Sequence, residues 1–417
     1  MATPAQLRAA ARFATGLYRQ RLDVWWAARR GDLICRRRMP SGIRDPYPIY
    51  EQMRRRGPIL PTRLGNWSTT SHALCNQVLR SRSFGVAPLD PPADAAEQGM
   101  NLSFLTMNEP DHGRLRRLAQ PAFSPRMMDR YRVLVEKTTH QLLDAAEARG
   151  RFDLVTGLAA PLPIAVITSM LGIPDADTAT FQRYGAAIGS ALSGIRSLRH
   201  AREVMTADRE IERLFTSLFE LREREPRDDL VSLLVAERGS GIRPEELEPM
   251  CSLLLIAGFE TTVNLIGNGV RALLDHPGQW QALREDPTLA NGCVEEVLRW
   301  DPPVQETGRI AFEDTGVGGV TVRKDQLVLT LIGGANRDPE VFASPDRFDI
   351  TRTPAVEHLA FSSGIHYCLG APLARLEAAT AFGVLAERMP GLRLAGRVRM
   401  RPSSTIRGPL HLPVAVR

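Results

Sequence analysis

The ten residues Phe361-Ser-Ser-Gly364-Ile-His366-Tyr-Cys368-Leu-Gly370 put one cysteine in a glycine-punctuated loop directly before a helix-forming run. Glycines at 364 and 370 permit positive φ and close approach to something flat and bulky, and a helix opening near Gly370 turns its positive end toward the sulfur. That geometry favours a metal-bound thiolate. A small buried cysteine beside an ordinary helix start has the same local sequence, because free cysteine is among the most buried residue types. A second constellation, Ala257-Gly258-Phe259-Glu260-Thr261-Thr262, follows the apolar run Leu253-Leu-Leu-Ile. Glycine inside a helix costs about 1 kcal/mol relative to alanine, and an acid in an apolar helix must be paired or neutral. Gly258 either admits a flat ligand to the backbone or lets two helices pack closely. Thr261 can bond back to a carbonyl and loosen the helix enough for a water, leaving Glu260 beside it to relay protons. Third, Glu296 and Arg299 lie three apart on one helical face. With Arg347 of Asp346-Arg347-Phe348 they are expected to form a buried charge cluster that locks a loop to a helix.

Long helices must position these groups. The apolar periodicity predicts an almost wholly helical stretch over 110–238, interrupted at Gly150, Gly172-Ile-Pro174 and Glu225-Pro226, then helices over 244–274, 287–300 and 370–388. Short strands at 59–64 and 67–70 flank the hairpin signal Gly65-Asn66, and Ser71 is placed to cap the next helix. Residues 304–332 read as extended, and 85–103 as a long loop of the kind that carries function or is disordered. The basic, alanine-rich residues 1–40 have helical spacing; their basic side chains are not confined to one face, so packing as an extra helix is expected in place of a membrane-surface role.

The chain of 417 residues is 43% hydrophobic and 24% charged, the composition of a globular protein with ample core. No run approaches the ~18 uninterrupted apolar residues of a membrane span, and no secretion signal is evident. The five cysteines are odd in number and scattered, which argues against a disulfide framework and for the cytoplasm. A net charge of +6 comes largely from arginine runs at 29–30, 36–38 and 54–56. Aromatics are not interleaved with them, so nucleic acid is not expected, leaving a solvated surface or an acidic protein partner.

Taken together, His112-Gly-Arg-Leu-Arg116, Ala257 through Thr262, Glu296-Val-Leu-Arg299, Arg309, Pro345-Asp-Arg347-Phe348 and Phe361 through Gly370 stand in the order of the motifs of a known family. The chain resembles a cytochrome P-450, a haem-thiolate monooxygenase of the soluble bacterial kind, over nearly all of its length after about residue 45. The resemblance implies a mainly α fold with small β-sheets (α+β), haem lying between a long central helix and the cysteine-bearing loop. A single catalytic domain over 46–417 would follow a basic extension over 1–45. It implies Cys368 as the axial ligand of haem b, whose thiolate favours cleavage of the O–O bond. Phe361 packs near that sulfur, and Ala257, Gly258, Gly364 and Gly370 approach the haem. His112, Arg116, Arg309 and His366 match the positions that neutralise the two propionates. Glu296, Arg299 and Arg347 correspond to a structural charge triad. Glu260 and Thr261 match the acid–alcohol pair that delivers protons during oxygen activation. Relatives that run on hydrogen peroxide place an arginine there, so the pair implies a reductase-dependent oxygenase. Family placement makes Leu254, Ala257, Val304, Gln305 and Ile406 substrate-facing, with the loop at 85–103 and the region at 185–200. One departure is Ser362, where the family has glycine; the turn admits serine only at ordinary or mildly strained φ, and the hydroxyl could tune the sulfur.

The implied reaction is insertion of one oxygen atom from O2 into a C–H or C=C bond of a small apolar organic substrate, in natural-product or lipid and terpenoid metabolism. No flavin- or nicotinamide-binding fingerprint is present, so electrons from NAD(P)H are expected through a separate ferredoxin and reductase. An acidic ferredoxin would dock over Cys368 near Arg114, Arg117 and Arg375, on a monomer. Two alternatives are a haem-binding sensor or carrier, against which Glu260 and Thr261 argue, and a helical hydrolase using Cys368 and His366 as nucleophile and base.

Overall fold

Helices begin and end where the sequence punctuates them, and the computed structural model describes the chain over residues 4–89, 101–174, 177–192, 194–353 and 356–416. In chain order, α1 (Pro4–Arg29) is followed by α2 (Tyr47–Arg56), which stops at Gly57, and α3 (His72–Arg80), whose N-cap Ser71 accepts from the Leu74 N–H. Next come α4 (Asp111–Ala119), α5 (Pro125–Arg149) and α6 (Pro161–Leu171). The last two end at Gly150 and Gly172 with φ +65° and +72°, a left-handed conformation that glycine takes without a Cβ penalty. Asp177 caps α7 (Thr178–Ala191), α8 (Leu198–Arg224) stops before Glu225-Pro226, and α9 (Pro244–Asp275) runs for 32 residues. The remaining long helices are α10 (Pro277–Glu285), α11 (Ala290–Trp300) and α12 (Ala371–Arg388). The helix expected over 287–300 begins only at Ala290, after a single tight turn at Pro287–Leu289.

The core gathers around α9, which packs against α6, α7, α8, α11 and α12, while α12 also packs against α5. By length and composition α9 is apolar enough to cross a membrane, but 72% of its apolar window is buried inside the fold, as in a core helix. Five short strands pair in the order Leu60–Pro61, Trp67–Thr69, Leu327–Thr330, Thr307–Ala311, Phe84–Gly85. Trp67–Thr69 runs parallel to Leu327–Thr330 and the other pairings are antiparallel, which sets Arg309 in an inner strand. Near the C-terminus, Arg399–Met400 pairs antiparallel with Pro409–His411. That hairpin carries residues 401–408 back toward α9, where the Asn264 side chain lies against Gly408.

The first helix packs in part. Leu17, Ala27 and Ala28 are buried, but Phe13, Tyr18, Leu22, Trp25 and Trp26 are exposed. Arg29 lies 4.1 Å over the Trp25 ring, and Arg30 lies 5.7 Å over Trp26. The next basic run is not wholly a solvated face: Arg37 is buried, forms an ion pair with Glu306 and donates to the Ser404 carbonyl at 2.7 Å. Arg407 donates to the Ile43 and Arg44 carbonyls at 3.0 and 3.1 Å, so the chain just before residue 45 is bound into the body.

Candidate functional site

Cys368 is the exception among the cysteines: Cys35, Cys75, Cys251 and Cys293 are fully buried, whereas Cys368 is exposed just before the N-terminus of α12. Its N–H donates to the Phe361 carbonyl at 2.8 Å, closing the loop on itself. Phe361 is buried under the Arg375 guanidinium, 4.6 Å from the ring centre. Arg116 of α4 ties the loop from the other side by donating to the Tyr367 carbonyl at 2.6 Å. Surrounding protein pushes the Cys368 pKa up, while the Gly370 and Ala371 amides and the Arg116 and Arg375 guanidinium groups pull it down. A metal ion tips such a balance outright, because a coordinating thiol is deprotonated.

The two loop glycines differ in what surrounds them. Gly364 has φ +70°, and a Cβ there would stand 2.7 Å from the Leu79 carbonyl oxygen, so it is the close approach of the α3 backbone that excludes a side chain. Gly370 has φ −83°, and among protein atoms a Cβ would meet only Phe123 at 3.7 Å. Ser362 sits at φ +64°, the left-handed region that glycine favours, and its buried hydroxyl has no hydrogen-bond partner. The serine therefore carries backbone strain, and no bond to the sulfur is formed.

The four residues expected around the propionates converge in part. The His112 and His366 rings are 4.2 Å apart, and the Nε2 atom of each is buried without a partner. His112 Nδ1 faces Glu109 at 3.1 Å. Arg309 is buried, bonds only to Thr307 and the Gly308 carbonyl, and burial lowers its pKa to about 10. Burial together with Arg309, His112 and Arg116 drives His366 down to about 3. Arg116 and Arg309 have no carboxylate partner among the described residues. Orphaned imidazole nitrogens beside unpaired guanidinium groups suit a ligand with carboxylates, and the exposed thiol suits a metal; this donor set fits haem.

On α9, Leu254, Ala257, Gly258 and Thr261 share one face by helical spacing, and Ala257 is exposed in the largely buried middle of the helix. The Thr261 hydroxyl donates to the Ala257 carbonyl at 3.2 Å, the back-bond expected of it. Gly258 answers to packing: a Cβ would lie 2.6 Å from Ile167 Cδ1, so the glycine admits α6. Glu260 is buried, and sequence reasoning missed its partners. Arg401 pairs with it at 2.7 Å and donates to the Asn264 side chain at 2.8 Å, while Asn264 donates to the Glu260 carbonyl at 2.6 Å. Burial raises the Glu260 pKa and Arg401 opposes it. A Cβ on Gly189 would come within 2.9 Å of Glu260 Cγ, so α7 lies directly over the side chain.

The charge triad forms with a different third member. Arg299 grips Glu296 through Nε and Nη2 at 2.7 and 2.8 Å, and Arg352, not Arg347, brings the second guanidinium, at 3.2 Å. The Arg347 side chain is exposed and pairs with Asp349; only its carbonyl joins, accepting from Arg299 at 3.0 Å. Gln305 leaves the substrate-facing set, since its buried amide bonds to Tyr50 and the Pro302 carbonyl. Val304 and Ile406 are bridged to each other, and Ile406 reaches a cavity of 740 Å³ that the 185–200 region and Glu260 also line. Residues 90–100 of the long loop lie outside the described residues. Of the arginines expected to dock a partner, Arg114 pairs with Asp111 and Glu246 and Arg375 with Glu295, whereas exposed Arg117 has no carboxylate partner among the described residues.

A family model described as "Cytochrome P450" matches residues 54–388. The chain is 38% identical over 381 residues to the biotin biosynthesis cytochrome P450 of Bacillus subtilis (strain 168), an alignment covering 89% of this chain and 96% of that protein. It is 39% identical over 385 residues to the cytochrome P450 monooxygenase PikC of Streptomyces venezuelae, covering 89% and 91%. Among solved structures, ligand-free CYP164A2 of Mycobacterium smegmatis is similar with a TM-score of 0.85 at 40% identity, over 92% of this chain and 99% of that one.

Proposed function

Because the chain belongs to the cytochrome P450 family of haem monooxygenases, we propose that it inserts one atom of O2 into a C–H or C=C bond of an apolar organic substrate, with electrons from NAD(P)H arriving through a separate ferredoxin and reductase. The observation that carries this reading over a haem sensor or carrier is the Glu260–Thr261 step on α9, where a buried acid with a raised pKa adjoins a hydroxyl on the exposed face. Haem, when bound, supplies the oxidising iron centre. Cys368 would hold the iron, and His112, Arg116, Arg309 and His366 would hold the propionates.

Glu260 holds a proton above the ordinary carboxyl range, and its carboxyl pairs with Arg401, which Asn264 holds in turn. Thr261, the next residue, presents its hydroxyl toward Ala257. A water between them would complete a path from buried acid to substrate side, which is general acid catalysis. A biosynthetic role is supported by the relative named for biotin biosynthesis. A cytoplasmic setting is supported by five cysteines that are all free.

Purified protein is expected to carry haem and, reduced under CO, to show the red-shifted Soret band of a thiolate ligand, a band that Cys368→Ser removes. A Soret band of histidine-ligated type in the parent protein would sink the thiolate assignment. With a surrogate ferredoxin and its reductase, NADPH consumption coupled to an oxygenated product is expected. Absence of coupled consumption across a broad apolar panel would favour the sensor or carrier.

A further inference from the structure

Packing accounts for one stripe of α1 and leaves another on water. Leu17, Val24, Ala27 and Ala28 turn toward the body, with Ala27 and Ala28 against Cys35. Tyr18, Leu22, Trp25 and Trp26 stand at i, i+4, i+7 and i+8, the spacing of a single helical face, and all four are exposed, Leu22 by 57% and Trp26 by 52%. Two tryptophans, a tyrosine and a leucine gathered on one water-facing stripe mark an interaction surface.

Charge says what that surface meets. Over residues 4–30 the chain carries six arginines and a single acid, Asp23. In sequence they circle the helix, but the structure sorts them. Arg21 is taken up by the Arg196 carbonyl. Arg12, Arg19 and Arg30 fall on one line along the margin of the aromatic stripe, and all three are exposed with no ion pair among the described residues. Arg29 and Arg30 lie over the Trp25 and Trp26 rings, and such guanidinium groups turn outward to an anion while their apolar stems stay on the surface. Tryptophan and tyrosine settle at the level of lipid headgroups, where one end is apolar and the other wet. An apolar stripe rimmed by arginine is the pattern of a helix lying in a bilayer interface, and the arginines keep it from crossing. A second copy docked on the same stripe would set two strongly basic helices against each other, which like-charge repulsion opposes.

We infer that α1 docks the protein on the surface of an anionic membrane: Tyr18, Leu22, Trp25 and Trp26 enter the headgroup boundary, and Arg12, Arg19 and Arg30 hold lipid phosphates at its margin. The body stays outside the bilayer, joined to the helix by Leu17, Ala27 and Ala28 and by Arg21 on the connection between α7 and α8. Apolar compounds partition into the same layer, so the proposed oxygenation would take place where such substrates concentrate.

The test mixes haem-loaded, full-length protein with unilamellar vesicles of phosphatidylcholine, alone or with an equal part of phosphatidylglycerol. Co-sedimentation gives the partitioning, and quenching of tryptophan emission by lipids brominated near the headgroup gives the depth. Anionic vesicles are expected to bind about hundredfold more tightly than neutral ones at low salt, three cations at about fivefold each. Added salt is expected to narrow the gap. The triple substitution Arg12→Gln, Arg19→Gln, Arg30→Gln is expected to erase most of that preference and leave the weaker neutral binding unchanged. Trp25→Ala with Trp26→Ala is expected to lower partitioning about tenfold or more and to remove most of the quenching, with the thermal midpoint and the reduced CO spectrum of the parent retained. Equal binding to both kinds of vesicle, no binding to either, or binding that survives the loss of both tryptophans would each overturn the inference. So would lipid-free self-association that the tryptophan variant abolishes, which gives the stripe to a second copy. A raised ferredoxin KM in that variant without vesicle binding would overturn it too, and give the stripe to the electron donor.

Discussion

Glu260 is an acid whose environment is set from three sides: Arg401 against the carboxyl, Asn264 one turn along the helix, and Gly189 of α7 overhead. Burial outweighs the arginine, so the carboxyl keeps its proton to higher pH than an exposed glutamate. As a proton donor it is active below that raised pKa, and turnover is expected to fall as pH rises through it. Glu260→Gln should lower kcat by about 10²-fold or more and abolish this alkaline limb, measured as the rate of product formation across pH. An unchanged pH profile would remove Glu260 from the proton path. Ser362 offers a stability test. At φ +64° a serine pays about 1 kcal/mol or more that glycine does not, against about 0.5–1 kcal/mol of extra chain entropy for glycine. Ser362→Gly is therefore expected to be neutral to mildly stabilising, by up to about 1 kcal/mol in denaturant unfolding, where an ordinary turn serine would lose stability. The burial of Glu260 and the back-bond of Thr261 were legible because each is marked within ten residues of sequence. Arg401 and Arg352 were not, because the counter-ion of a buried charge is chosen by proximity in space, and nothing local marks the arginine that will supply it.

At the scale of elements, the breaks at Gly57, Gly150, Gly172 and Pro226 gave the helix ends directly, since glycine and proline act through local φ and the missing N–H. Their reach stops at packing. Gly258 left a ligand and a packed helix equally open, and its Cβ direction runs into Ile167 of α6; a helix pattern shows that a residue is small, not which neighbour needs it to be. Gly258→Ala gains about 1 kcal/mol of helix propensity but forces Ile167 to move, and overpacking costs about 1–3 kcal/mol. Net destabilisation of about 1 kcal/mol is expected. Pairing it with Ile167→Ala should couple favourably by about 1 kcal/mol in a double-mutant cycle of unfolding free energies. A ligand-driven glycine would instead lose haem occupancy with no coupling to Ile167. The same distinction applies to Gly364, which faces the α3 backbone.

Across the whole molecule, most of the net charge of +6 is arginine, but the arginines do different work. Arg37, Arg299 and Arg407 are buried and join distant parts of the chain. Composition reads all of them as one basic surface, and the buried ones leave that surface smaller than the count suggests. On α4, only Arg117 is both exposed and free of a carboxylate among the described residues. Arg117→Glu is expected to raise KM for an acidic ferredoxin about tenfold, with weakened salt dependence and unchanged thermal stability. Arg375→Ala should instead lower stability, because Glu295 and the Phe361 ring lose their partner. If Arg117→Glu leaves the ferredoxin KM unchanged, the electron donor docks elsewhere. The seclusion of four cysteines has an analytical consequence as well. Before haem is loaded, the native chain should titrate with a disulfide-exchange reagent as a monothiol, and in strong denaturant as a pentathiol. Each haem that binds should remove one equivalent from the native count, so the stoichiometry of thiol titration would report cofactor loading without any recourse to colour.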